Sequence, residues 1–283
     1  MNASVARWRP IPLLCAVAAV AIWSSLAALS VSLRDIPALQ LTGIALVIGG
    51  SLSLPWWRQW QFDPRKLALG CYGLFLYHLL FITALRHAPA VQANLVHYLW
   101  PTLIVVLSPL FVPGVRLRKP HLVAAGIGLA GAATAILGGG GSSGGWHGGY
   151  SLALAAALVW STYSLLLRRS QGINAPTTGL CCLLSGALAL LVNAGMGGSA
   201  VAPSATEWAA IVALGVGPMG GAFYLWSEAL RHGDPRVIGV LANATPVLST
   251  VVLTASAGLA FAPFMAVALV LTMAASLVAA RLR

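Results

Sequence analysis

The sequence predicts an all-α polytopic membrane protein, with ten transmembrane helices arranged as two five-helix inverted repeats around a central cavity. Three observations carry that expectation. Apolar residues make up 59% of the 283 positions and charged ones 7%, far from the balance of a soluble domain. The apolar residues gather into stretches of about 18 to 25, the length that crosses a bilayer as a helix. The Lys and Arg residues between those stretches are sorted by side.

The stretches lie near 11–32, 36–56, 67–85, 90–112, 120–138, 149–167, 176–195, 207–230, 236–257 and 260–280. One side carries Arg7, Arg9, Arg58, Arg65, Lys66, Arg116, Arg118, Lys119, Arg168, Arg169, Arg231, Arg236, Arg281 and Arg283, and the other only Arg34 and Arg86. The positive-inside rule then expects both termini in the cytoplasm, and a missed or invented span would scramble the alternation. The first stretch follows two arginines as an export signal does, but it is longer than a signal core and has a counterpart later in the chain. It is expected to be retained. The fifth, rich in Gly and Ala with Gly126 and Ala130 four apart, and the Ala-rich tenth are expected to pack closely against neighbours. A homodimer face is the alternative, so the chain is expected as a monomer or weak homodimer.

The chain repeats itself. Ala84-Leu85-Arg86-His87 returns as Ala229-Leu230-Arg231-His232, an offset of 145, which also sets Pro101 against Pro246. Trp23 matches Trp160 at an offset of 137, with Ala16 and Ala19 on Ala153 and Ala156. The expected organisation is a first repeat at 1–138, a Gly-rich linker at 139–148 and a second repeat at 149–283. Five spans per half is an odd number, so the second half enters the membrane from the opposite side, as in carriers that alternate access. Gly195 to Thr206 reads as a flexible outer connector.

At about 100° per residue, the fourth stretch places Asn94, His97, Tyr98, Trp100 and Pro101 on one side and leucines and valines on the other. A side sorted this way belongs against a hydrated interior, and Tyr98 and Trp100 lie too near mid-span for an interfacial belt. In the sixth stretch Trp160, Tyr163 and Ser164 share a face with alanines. In the third, Tyr77, His78 and Phe81 cluster, and in the eighth Phe223 and Trp226. Trp23 suits packing and pocket equally. Clustered rings with a few polar tips describe a site for an amphipathic organic solute.

Pro101 cannot donate to the carbonyl of His97, nor Pro246 to that of Ala242. Each freed carbonyl either closes an ordinary kink or helps accept a substrate ammonium beside Asn94 or Asn243. The expected substrate-binding set is Tyr77, His78, Asn94, Tyr98, Trp100, Pro101, Trp160, Tyr163, Trp226 and Asn243.

Other classes find little support. The net charge of +11 sits in short loops beside the spans, where topology and anionic headgroups account for it, so no nucleic acid is expected. Cys15, Cys71, Cys181 and Cys182 lack metal-ligand spacing, and neither metal nor cofactor is expected. A phosphate-binding loop is missing, as is the H-E-x-x-H signature of an intramembrane protease. Glu228, with Arg231 and His232 on the following turn, suits a local pair more than a proton relay.

The ten-span inverted pattern, with Ala-Leu-Arg-His leading into the fourth span, resembles the EamA type of the drug/metabolite transporter superfamily over essentially the whole chain. The stretch His97-Tyr98-Leu99-Trp100-Pro101-Thr102 is similar to the fourth span of bacterial aromatic amino acid exporters of the YddG type. That resemblance implies export of Phe, Tyr and Trp, with other amino acids as further candidates, across the bacterial inner membrane, through a central cavity lined by both halves. It carries only Tyr98, Trp100 and Pro101 into the site. Export of other small amphipathic metabolites or quaternary ammonium drugs, held by cation–π attraction, is the alternative. A polytopic enzyme or accessory subunit ranks below both.

Overall fold

The computed structural model describes residues 10–111, 119–138, 147–169, 173–198, 200–232, 241 and 244–281, and every secondary element among them is helical. The first half contributes α1 (Pro10–Trp23), α2 (Leu26–Ser32), α3 (Ala38–Ser51), α4 (Pro64–Cys71), α5 (Tyr77–His87), α6 (Ala90–His97), α7 (Trp100–Phe111) and α8 (Lys119–Gly138). The second contributes α9 (Gly148–Arg169), α10 (Ala175–Gly195), α11 (Ala205–Val216), α12 (Ala222–His232), α13 (Thr245–Ser256) and α14 (Pro263–Arg281).

Among the described residues, five helical stretches are long and apolar enough to cross a membrane: Ile11–Ser32, Pro64–His87, Gly148–Leu167, Ala175–Gly195 and Ala205–Trp226. Shorter apolar helices run at Ala38–Ser51, Leu122–Gly138, Thr245–Ser256 and Pro263–Ala275. Leu14, Leu110, Leu137, Leu191 and Val270 point outward from these helices, as suits contact with acyl chains.

Several stretches expected as unbroken helices are interrupted, and the interruptions repeat. The third and eighth each contain a π turn, Tyr72–Leu76 and Gly217–Gly221, 145 residues apart at both ends. The flanking pairs α5 and α12, and then α7 and α13, begin and end with the same 145-residue separation. The fourth stretch breaks where Leu99 N–H donates to the Val96 carbonyl at 3.1 Å, and Ala244 repeats that bond to Leu241 at 2.9 Å. Pro101 and Pro246 therefore fall in the opening turn of a new helix, where a proline's missing N–H costs nothing, and not inside a kinked one. Asn243, Ala242 and most of the Gly-rich linker lie outside the described residues.

Helix pairing follows the same relation. α3 packs on α10, and α8 on α14, each with its own counterpart. The α1–α12 pair maps onto α9–α5, and α6 packs on α13. Glycines set the closest crossings. A Cβ at Gly186 would stand 2.7 Å from the Gly43 carbonyl, and one at Gly49 would stand 2.6 Å from that of Met219 in the second π turn. The packing expected of Gly126 falls elsewhere. Gly126 has no neighbour within 4 Å, and α8 meets α14 through Gly131, whose Cβ position lies 3.0 Å from Thr272 Oγ1.

The connector expected to be flexible after Gly195 is tied down at one point. Gln40 donates to the Val201 carbonyl at 2.7 Å and accepts from its N–H at 3.0 Å, and Ser204 and Glu207 cap α11 reciprocally. Between α3 and α4 a short 3₁₀ turn exposes Trp56, Trp57 and Phe62. The Arg58 guanidinium lies 5.6 Å above the Trp57 ring.

Candidate binding cavity

Both π turns aim rings inward. Widening the helix by one residue at Tyr72–Leu76 leaves Tyr77, His78 and Phe81 on one inward face, as π-bulges at functional sites do. The His78 Nδ1–H donates to the Leu74 carbonyl at 2.6 Å, which fixes the ring's orientation. The break at Leu99 turns Asn94, His97 and Tyr98 of one helix and Trp100 of the next toward the same space. Opposite, α9 supplies Trp160 and Ser164, and α12 supplies Phe223 and Trp226.

These side chains enclose a cavity of about 250 Å³, closed off further by Trp23, Leu26, Ala27, Ile104, Pro218, Thr245 and Ser249. Its walls are a near-continuous run of rings. Tyr77 sits 4.9 Å from Trp160 and 5.5 Å from His97, and Phe81 sits 4.4 Å from His97. Trp23 lies 5.2 Å from Trp226 and 5.7 Å from Phe223. The Trp23 indole N–H donates to the Pro218 carbonyl at 3.2 Å, so this ring has a fixed edge.

Among the described residues the lining contains no Asp, Glu, Lys or Arg. Its polarity is concentrated on α6 and α13. Asn94 donates to Ser249 Oγ at 3.1 Å, and the Tyr98 hydroxyl points at the Thr245 carbonyl at 3.5 Å. Asn94 Oδ1 and both ring nitrogens of His97 are buried without a hydrogen-bond partner. Leaving such a group unpaired costs about 1–3 kcal/mol. A zwitterionic or hydroxylated solute in the cavity would offer partners to them.

Of the residues expected at the site, Tyr77, His78, Asn94, Tyr98, Trp100, Trp160 and Trp226 line the cavity. Pro101 does not; it follows Trp100 in the first turn of α7, and the nearby carbonyl with a side-chain partner is that of Trp100, which receives Ser161 Oγ at 2.8 Å. Tyr163 is also outside the lining: its buried ring covers Gly73, where any Cβ would run into it. Asn243 is outside the described residues. Phe81, His97, Phe223, Thr245 and Ser249 are lining residues missing from the expected set, and Trp23 resolves to a wall. The repeat offsets hold the signal for most of them. His78 and Phe223, Phe81 and Trp226, Trp100 and Thr245, and Ile104 and Ser249 are each 145 apart, and all eight line the cavity.

Glu228 and His232 meet at 2.9 Å on the exposed end of α12, away from the cavity. The pairing is local to one helix turn.

The profile of the EamA-like transporter family matches this chain twice, over residues 10–137 and again over 147–281. The chain belongs to the EamA-like transporter family. It is thus a multi-pass, all-helical membrane transporter with two EamA domains. Among EamA-like relatives, the aromatic amino acid exporter YddG of Ancylobacter novellus is 38% identical over 252 residues, covering 83% of this chain and 85% of that protein. A crystal structure of a 36% identical protein superposes with a TM-score of 0.74 and covers 96% of both chains.

Proposed function

We propose that this EamA-like transporter exports amino acids, aromatic ones (Phe, Tyr, Trp) among them, by alternating access through the ring-walled cavity. The observation that carries the reading is the cavity's make-up among the described residues: rings from both halves, no charged side chain, and unpaired polar atoms gathered at Asn94 and His97. A zwitterion has no net charge to neutralise, whereas a lone cation at this depth needs a buried counter-charge. Flat walls favour a flat side chain, each ring contact being worth about 0.5–1.5 kcal/mol beyond its buried area. The volume of about 250 Å³ falls below the ~300–1,000 Å³ typical of drug-sized ligands, which speaks against large drugs. The exporter of Ancylobacter novellus supports the same substrate class.

The proposed architecture is ten spans in two inverted five-helix repeats at 1–138 and 149–283, joined by the linker at 139–148. It is supported by the 145-residue recurrence of π turns, helix breaks and cavity residues. Both termini are assigned to the cytoplasmic side of a bacterial inner membrane. The alternation of basic loops supports this, and so does the exposed Trp56, Trp57 and Phe62 cluster beside Arg58, Arg65 and Lys66, a composition suited to an anionic headgroup layer.

The test is uptake of labelled amino acids into proteoliposomes containing the purified protein. Saturable movement of several amino acids, aromatic ones included, is expected, together with a large loss in Trp100→Ala. Saturable movement of quaternary ammonium compounds alone would replace this reading with the drug-export one. Normal rates in Trp100→Ala would remove that ring from the site.

A further inference from the structure

Two stretches of sequence, Trp23-Ser24-Ser25 and Trp160-Ser161-Thr162, stand 137 residues apart and place hydroxyls beside matching carbonyls in different backbones. Ser24 Oγ donates to the Val20 carbonyl at 2.7 Å, and Ser161 Oγ to that of Ala157 at 2.6 Å, again 137 residues apart. Ser25 Oγ donates to the Ile22 carbonyl at 2.7 Å, whereas Thr162 Oγ1 lies nearer the Leu158 carbonyl, at 2.8 Å, than the equivalent Val159 carbonyl, at 3.1 Å, and stands 2.7 Å from the Tyr72 hydroxyl. Such hydroxyl back-bonds compete with the helix ladder, and paired hydroxyl residues are recognised sites of helix bending.

Only the first of the two is bent. Helix α1 ends at Trp23, the Ser25 N–H bonds three residues back to Ile22 at 3.1 Å, and α2 begins at Leu26. Helix α9 runs unbroken through Trp160 to its end. The bend has a consequence for access. α2 folds onto α5, with Ala27 and Phe81 each 1% exposed, and Arg86 Nη2 donates to the Leu33 carbonyl at 3.2 Å. The equivalent residues Ser164 of α9 and Trp226 of α12, which line the cavity as Ala27 and Phe81 do, are only half-buried. The cavity is therefore sealed between α2 and α5, and looser between α9 and α12.

We propose that Ser161–Thr162 is a latent hinge. In the alternative state α9 breaks there and its last turns close on α12, while α1 and α2 straighten and release α5. In the present state the single Ser161 hydroxyl proton is shared between the Ala157 carbonyl at 2.6 Å and the Trp100 carbonyl of α7 at 2.8 Å. On switching the contact with α7 is given up and the proton goes to Ala157 alone, as that of Ser24 goes to Val20. The proposal rests on the alternating-access reading above. With the termini cytoplasmic, the present form faces inward, and the two hydroxyl pairs bend by turns.

Paired spin labels test this directly. They are placed at Ser32→Cys and His87→Cys, both exposed at the α2–α5 end, with Cys15, Cys71, Cys181 and Cys182 replaced by Ala. Wild-type hinges should give a short distance, plus a longer one that gains population with saturating amino acid. Ser161→Ala with Thr162→Val should keep the short distance, lose the longer one, and slow transport on the order of tenfold, as expected when two hydroxyls that commit to the Ala157 and Val159 carbonyls only in the bent state are removed. A longer population undiminished in the double variant overturns the proposal, as does a single short distance in a protein that transports. If no amino acid moves at all, the substrate reading fails. The distance distributions in nanodiscs, with and without the hinge substitutions, still decide the hinge.

Discussion

Asn94 on α6 donates its side-chain N–H to Ser249 on α13, 3.1 Å away, joining the two halves at the rim of the cavity. The position equivalent to Ser249 in the first half is Ile104, also a lining residue. The backbone relation between the halves is therefore close, but the polarity of the cavity is one-sided. A solute with a polar head and a flat tail has one favoured way to lie: head toward Asn94, His97 and Ser249, tail among Trp23, Trp160 and Trp226.

The polar end sets charge preference. Asn94→Asp keeps the shape and adds a negative charge where the lining has none. A charge pair a few ångströms apart at an effective dielectric of 20 is worth about 4 kcal/mol before desolvation, enough to move selectivity at least tenfold. Cationic solutes should compete better against labelled Phe in the variant than in wild type, and zwitterions worse. Unchanged competition ratios would separate Asn94 from the bound head group.

The flat end sets ring preference. Trp160 touches Tyr77 at 4.9 Å and Phe223 at 6.1 Å, so Trp160→Ala removes wall area without touching the polar cluster. Loss of one ring contact of about 0.5–1.5 kcal/mol should raise the KM for Phe and Trp roughly three- to tenfold. The KM for small aliphatic amino acids should move less. Kinetics with Phe and Ala as paired substrates check this, and equal losses for both would mean that Trp160 serves the fold and not the ring.

Much of this arrangement was legible in the residue order. Trp23 and Trp160, or Arg86 and Arg231, reveal the repeat because their neighbours match at a fixed spacing, and wheel arithmetic brings Asn94, Tyr98 and Trp100 to one side. The π turns were not legible. Their apolar residues read like any helix, although one extra residue in the turn rotates all that follows, Phe81 and Phe223 included. The wheel failed for Tyr163 because facing Gly73 leaves a gap that only a ring fills, a fact of the partner helix. Pro101 stays out of the lining because it sits in the opening turn of α7 and not inside a helix whose carbonyl it would free for a substrate, and the sequence does not mark that break.

Close packing and open surface separate two glycines that look alike in sequence. A Cβ at Gly49 would meet the backbone carbonyls of Met219 and Gly215 at 2.6 and 2.7 Å, and carbonyls held in helices cannot step aside as a side chain can. Gly49→Ala should cost about 1–3 kcal/mol by overpacking, seen as a lower Tm of the detergent-solubilised protein. Gly126→Ala adds its methyl to open space and should be neutral or stabilising by up to about 1 kcal/mol through helix propensity. Equal Tm values for the two variants would mean that the α3 contact with the second π turn yields.

Glu228 is an acidic side chain inside the eighth apolar stretch of the sequence, which makes it the natural suspect for proton coupling. Its position argues otherwise. The carboxylate pairs with His232 one turn away at 2.9 Å, and the two side chains are 51% and 46% exposed. An exposed i,i+4 pair of this kind is worth about 0.3–0.5 kcal/mol, and the cavity lining contains neither residue. Glu228→Gln should leave amino acid uptake within about twofold of wild type, the scale of that small energy. An imposed pH gradient should change the rate equally in both proteins. A gradient-driven rate present in wild type and abolished in Glu228→Gln would assign this carboxylate to the transport cycle.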